Sequence, residues 1–204
     1  NKFKVEKGGN MHVWNMSYDP ATKFDGMILW WGSLNGPKAK PGDYKVVLNI
    51  NGKSQTQNFK VLQRPDSEGS MADIESQFDF VKSINTKLND AHQAIIDMRS
   101  LRKQMKGYVG KVDDQEIKDY ADEVDSLMTK VEEALYQTKN RSGQDPLNFP
   151  IRLTNKLAHL NSLTQMGNND FPPTQAAISV RDELNGMIDD ELNAWAANIQ
   201  RAGT

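Results

Sequence analysis

Three histidines, no cysteine and a cluster of tryptophans limit the chemistry open to this chain. His12, His92 and His159 stand far apart, and none falls into the His-x-x-x-His or Glu-x-x-His spacing that sets two metal ligands on one helix face. Without a thiol there is no thiolate nucleophile, no disulfide and no cysteine-ligated zinc. No Gly-x-Ser-x-Gly elbow, glycine-rich phosphate loop or calcium loop of alternating oxygen ligands occurs. Glycoside hydrolysis needs a facing pair of carboxyl groups. Asp19, Asp25 and Asp43 all fall in turn sequences, where Asp serves local backbone hydrogen bonding. The acidic run Asp113, Asp114 and Glu116 reads as the complement of a helix N-terminus. The sequence thus offers no catalytic constellation, no metal site and no cofactor site.

The tryptophans are more suggestive. Trp14, Trp30 and Trp31, with Tyr44, crowd the first quarter of the chain. Exposed indole faces are stacking platforms for sugar rings, so these three are the candidate carbohydrate-binding residues. The competing expectation is that one fills a β core while another packs on the helices or on a further domain. Neighbours in a strand point to opposite faces, so Trp30 and Trp31 do not both enter one core.

The elements that must carry these side chains change character near residue 66. Up to residue 62, short apolar runs alternate with Gly, Pro and Asn-Gly, the pattern of strands and turns. Strands are expected around Phe3 and Val5, from His12 to Tyr18, from Met27 to Trp31 (buried on both faces), from Tyr44 to Ile50 and from Gln55 to Leu62. The last two flank Asn51-Gly52, a strong hairpin signal. About five strands are fewer than the roughly seven of an immunoglobulin-type sandwich, so the expectation is a small immunoglobulin-like module with strands missing upstream. Residues 63–69 read as a linker, with Pro65 unable to continue a ladder.

From residue 70 to 204 the apolar period becomes helical. Ser70 is placed to cap a helix in which Ile74, Val81, Leu88 and Ile95, and likewise Ile84, Ala91, Met98 and Met105, recur every seven residues. A second helix starts near Asp113 or Asp114. A third follows Pro150 with Leu153, Leu157, Leu160 and Leu163 facing inward. A fourth is capped by Thr174 and carries Ile178, Leu184, Ile188, Leu192, Trp195 and Ile199. The expected fold class is therefore α+β and multidomain: the β module (1–62), the linker (63–69) and an antiparallel, up-down-up-down four-helix bundle (70–204).

The chain has 204 residues with 25 basic and 27 acidic side chains, a formal net charge of −2. Such a balance gives no long-range attraction to phosphate, which argues against a nucleic-acid partner. No apolar run approaches the length of a membrane span. The chain opens on Asn-Lys-Phe-Lys, with neither an initiator Met nor a signal peptide, and reads as a piece of a longer polypeptide.

The strings Gly9-Asn10-x-x-x-Trp14, Gly26-Met27-x-x-Trp30 and Gly36-Pro37-x-x-x-Pro41-Gly42-x-Tyr44 are joined by Phe149-Pro150-x-x-Leu153 and Pro172-Pro173-Thr174 at helix starts. Together they resemble the C-terminal region of secreted bacterial proteins with sortilin-like, Asp-box (BNR) repeat propellers, often described as predicted glycoside hydrolases. Asn15 follows Trp14 where those proteins often have Asp, Gln63-Arg64-Pro65-Asp66 replaces their Asp-Pro-Arg order, and no Asp-box repeat is present. The resemblance implies a non-catalytic accessory region, extracellular or periplasmic, that docks on or spaces the upstream propeller of the same polypeptide. It implies no catalytic residue here, since any activity would belong to the propeller. A glycan held by the tryptophans is the alternative partner.

Overall fold

The computed structural model describes residues 6–202, ordered as strands β1 (Gly42–Ile50) and β2 (Lys53–Val61), then helices α1 (Met71–Val109), α2 (Gln115–Leu135), α3 (Leu153–Thr164) and α4 (Gln175–Ala202). The protein is thus α+β, with one two-stranded antiparallel sheet and four α helices.

Local rules start the helices. Ser70 Oγ accepts from the Asp73 amide at 3.2 Å while Asp73 Oδ2 accepts from the Ser70 amide at 2.9 Å, so two amides that the helix leaves orphaned are satisfied reciprocally. Asp114 Oδ1 accepts from the Glu116 and Ile117 amides in the same way, and Thr174 Oγ1 from Ala177. With 39 residues α1 is about 58 Å long, and it forms the spine of the molecule. Six of the eight repeating residues expected to form its seams, Val81, Ile84, Leu88, Ala91, Ile95 and Met98, are buried, while Ile74 and Met105 at the two ends are only half-buried.

Helix directions follow from specific cross-links. Arg99 and Arg102 of α1 share the buried Glu132 of α2 at 2.7 Å each, and Arg102 also reaches Thr129 and Asp125, so α2 runs back along the distal part of α1. Thr154 Oγ1 donates to the Leu135 carbonyl at 2.8 Å, starting α3 where α2 ends. Asn161 of α3 then reaches Asn85 of α1, further back along the spine. In α4, Arg181 pairs with Ser83 and Asp189 with Lys87, so α4 runs parallel to α1. The order of directions is up-down-down-up, with α2 and α3 consecutive along one side, where up-down-up-down was expected. In α3, Leu157 is buried as expected, but Leu163 is exposed, and the polar Thr154, Asn155 and Asn161 are buried instead.

The first forty residues depart from the expected sandwich. The Phe3–Val5 segment lies outside the described residues. Among the described residues no strand forms over 12–18 or 27–31, and β structure is confined to the hairpin and a single bridge between Ser17 and Lys38. Residues 16–21 do run beside 34–39, through Tyr18 N to Pro37 O (2.9 Å), Ala21 N to Leu34 O (2.7 Å) and Ala39 N to Met16 O (2.7 Å). Between them, residues 22–33 form a strap laid on the helices, not a strand paired in a sheet. Its Ala21 and Phe24 enter the helical core.

Helix side chains occupy the strap's backbone groups. Asn89 Oδ1 accepts from Thr22 N (2.6 Å), Tyr136 Oη from Ile28 N (2.8 Å), and Asn155 Oδ1 from Trp30 N (2.8 Å). Asn155 Nδ2 donates to Trp30 O (2.8 Å), and Asn161 Nδ2 to Ser33 O and Asn35 O (3.0 Å each). Such pairing is what extended backbone requires where no neighbouring strand supplies it. We expect Asn155→Leu to leave both polar groups of Trp30 unpaired and to lower unfolding free energy by about 2 kcal/mol in urea titration, with faster amide exchange at Trp30. A loss below about 0.5 kcal/mol would mean that these bonds do not anchor the strap.

Candidate functional site

The three candidate tryptophans are not gathered into one site. Trp14 is partly covered against the base of the hairpin, with ring centroids 5.7 Å from Tyr44 and 6.1 Å from Phe59, and its Nε1 donates to Ser17 O at 3.2 Å. Trp30 is half-buried, and its backbone is bonded to Asn155 near the start of α3. The Trp14 segment instead borders a cavity that includes Gln165, just past the end of α3 and about 15 Å further along it. Trp31 is 69% exposed and lies beside Trp30, with ring centroids 6.4 Å apart. A left-handed backbone at Trp31 (φ 53°) turns the chain so that Gly32 meets the α3 surface, where an added Cβ would lie 3.0 Å from Ala158 Cβ. Of the three, Trp31 offers the open indole face.

The hairpin forms a second exposed feature. Asn51 and Gly52 both take positive φ (49° and 78°), the type I′ geometry that matches strand twist. The resulting register sets Tyr44 opposite Phe59, Val46 opposite Gln57, Leu48 opposite Gln55 and Ile50 opposite Lys53, all on one face. Trp14, Tyr44 and Phe59 pack together at the base of that face. Beyond them Val46 (54% exposed), Leu48 and Ile50 (57%) continue as an uncovered apolar row, with Val47 exposed on the other side.

A third feature is a cavity of about 460 Å³ between the paired segments near Met16 and Lys38, the hairpin base, the start of α1 and the α3–α4 connection. Lys38, Arg64 and Asp170 line it together with Phe78 and Val81. Burial lowers the Lys38 ammonium below the ordinary lysine value, Asp170 pulling it up and Arg64 pushing it further down. Sequence reasoning missed this cavity, because its walls come from five separate stretches whose only sequence signal is Pro-Gly and Gly turn chemistry.

Among the described residues no three His, Asp or Glu side chains gather in a way that would hold a metal ion. Nor is any described helix long and apolar enough to cross a membrane. His92 is fully buried, its Nδ1–H donating to Thr22 O at 2.6 Å and its ring edge-on to Phe24 at 5.4 Å. Its Nε2 therefore carries a lone pair with no partner. Comparison with family models, with curated proteins and with solved structures returns no match, so function is read from the chain's own surfaces.

Burial holds the His92 imidazole below its ordinary value near 6.5, with the Thr22 carbonyl acting the other way. As pH falls, the unfolded chain then takes up a proton first. The stability this group contributes is complete above about pH 6.5 and is lost as pH drops below it. Melting temperatures measured from pH 7.5 to pH 5 are expected to fall more steeply for the native chain than for His92→Phe. Equal slopes would show that the ring does not resist protonation.

Proposed function

We propose that this chain is a non-catalytic accessory module that docks on a second domain of a larger secreted polypeptide, with the upstream propeller implied by the family resemblance as that domain. The observation that carries the reading is the hairpin. Among the described residues nothing covers the row of Val46, Leu48 and Ile50, and none pairs with either strand edge. A lone two-stranded hairpin is marginal in water, and an open apolar edge invites further strand pairing. In this reading β1 and β2 are two strands of an immunoglobulin-like sheet, completed by strands from outside the chain.

The test is amide hydrogen exchange over residues 42–61, with and without the upstream region on the same polypeptide. Exchange there should slow when that region is present, and Val46→Lys with Ile50→Lys should reverse the slowing and weaken association at least tenfold, about 1.4 kcal/mol. Unchanged exchange in the longer polypeptide would remove the reading.

A second reading rests on Trp31, whose open indole face is the geometry a sugar ring stacks on. A saturable fluorescence change with soluble glycans, lost in Trp31→Ala and kept in Trp14→Phe, is the expected signature. No change with any glycan in a broad panel would discard it.

A further inference from the structure

The cavity near Lys38 joins an apolar floor to two opposite charges. Ile74, Phe78 and Val81 of α1 form the floor, the last two buried. Lys38 and Asp170 stand on the walls. Lys38 is half-buried, and among the described residues no carboxylate oxygen comes within 4.0 Å of its ammonium. A partly desolvated cation that feels Asp170 only at a distance and makes no close ion pair is costly, and an anion entering the cavity would relieve it. Arg64, a second cation in the lining, gives its Nε to Asp66 at 2.8 Å in an exposed pair. Asp170 uses one oxygen, Oδ2, to accept from Ser67 Oγ at 2.7 Å.

These charges discriminate between ligand types. A ligand carrying only a carboxylate would suit Lys38 but meet the Asp170 charge. One carrying only an amine would suit Asp170 but meet Lys38. We propose that the cavity binds a free zwitterionic α-amino acid with an apolar side chain, its carboxylate on Lys38, its ammonium on Asp170 and its side chain on the α1 floor. The volume of about 460 Å³ lies within the range of small-molecule sites.

The walls are held in advance of binding. Gln77 Nε2 donates to Asn169 Oδ1 (2.9 Å) and to the carbonyl of Phe171 (2.8 Å), fixing the connection that carries Asp170. Gly69 lies so close to that connection that an added Cβ would sit 2.4 Å from Asp170 O. On the opposite rim Met16 keeps a left-handed backbone (φ 57°), a strained conformation that persists only where its surroundings impose it. Such preorganisation reduces the ordering cost of binding. The inference goes beyond the docking reading and does not depend on it, since the cavity lies at the base of the hairpin and not on its exposed row.

Isothermal titration calorimetry on the full chain provides the test, with L-leucine and L-phenylalanine against 4-methylpentanoate (carboxylate alone) and isoamylamine (amine alone). At least one amino acid should bind saturably, with both half-ligands at least tenfold weaker. Lys38→Met, which keeps the aliphatic stem, and Asp170→Asn, which keeps an acceptor for Ser67, should each weaken binding at least tenfold while circular dichroism shows the native helix content. Should either variant fail to fold, the comparison of half-ligands on the native chain decides. No saturable heat with either amino acid at millimolar concentration overturns the proposal. So does a half-ligand binding as tightly as the amino acids, or unchanged binding in a folded Lys38→Met.

Discussion

The structure depends on how an irregular stretch of backbone is satisfied against helices. Residues 22–33 run where a strand would be expected, yet no second strand lies beside them. Every such residue brings an amide and a carbonyl that cannot be left dry without a cost of about 1–3 kcal/mol each. Helix backbones offer little along their flanks, because most of their groups are already paired; the Ala158 carbonyl of α3, which accepts from Ser33 N at 2.9 Å, is an exception. Asparagine resolves this, since its side-chain amide presents the donor and acceptor of a peptide group. Asn155 takes both polar groups of Trp30, Asn161 bridges Ser33 and Asn35, and Asn89 holds Thr22.

That arrangement explains features that look unrelated. The face α3 turns to the strap must be polar and slim, so Asn155, Ala158 and Asn161 occupy it and Leu163 is left outside. Gly32 suits the place where the strap crosses Ala158, because an added Cβ would press on Ala158 Cβ at 3.0 Å and on Asn155 at 3.3 Å. The strap in turn supplies Ala21 and Phe24 to the core, with Phe24 edge-on to His92 and Tyr136 and covered by the Arg99 guanidinium at 4.6 Å. Arg99 also holds Glu132, so the anchoring of the strap and the pairing of α1 with α2 share one side chain. The desolvation cost of burying Glu132 is offset by two guanidiniums that meet it, one on each oxygen.

Much of this was legible where local physics decides. The α1 seams, the Ser70 and Asp114 caps and the Asn51-Gly52 turn are each set by residues within one helical turn or one hairpin, and each forms as the pattern indicates. The strap was misread for a definite reason. Met27-Ile28-Leu29-Trp30-Trp31 has the composition of a buried strand, and composition does not say whether the partner of a backbone amide is another strand or an asparagine 67 to 128 residues away. The same limit applies to helix direction. A run of two short helices after a long one reads as successive turns of a bundle, whereas α2 and α3 share the length of α1 between them because α1, at about 58 Å, is too long for either alone. The dispersed tryptophans follow from this: with no sheet over residues 12–31, nothing brings Trp14 and Trp31 to a common face.

Beyond its base, where Trp14 packs on Tyr44 and Phe59, the hairpin then stands apart from the other described residues. The strap satisfies its backbone against asparagines and sinks its apolar residues into the core, so it needs no sheet. Among the described residues β1 and β2 pair only with each other, and past Tyr44 and Phe59 their apolar side chains meet water. Burying Val46, Leu48 and Ile50 would gain about 1.5–3 kcal/mol for each side chain fully covered, and none of the described residues takes that gain. A fold that matches its strap so closely to its helices, group by group, leaves the outer hairpin bare on both faces among the described residues. That asymmetry, and not any side chain of reactive type, is the physical support for the docking proposed above.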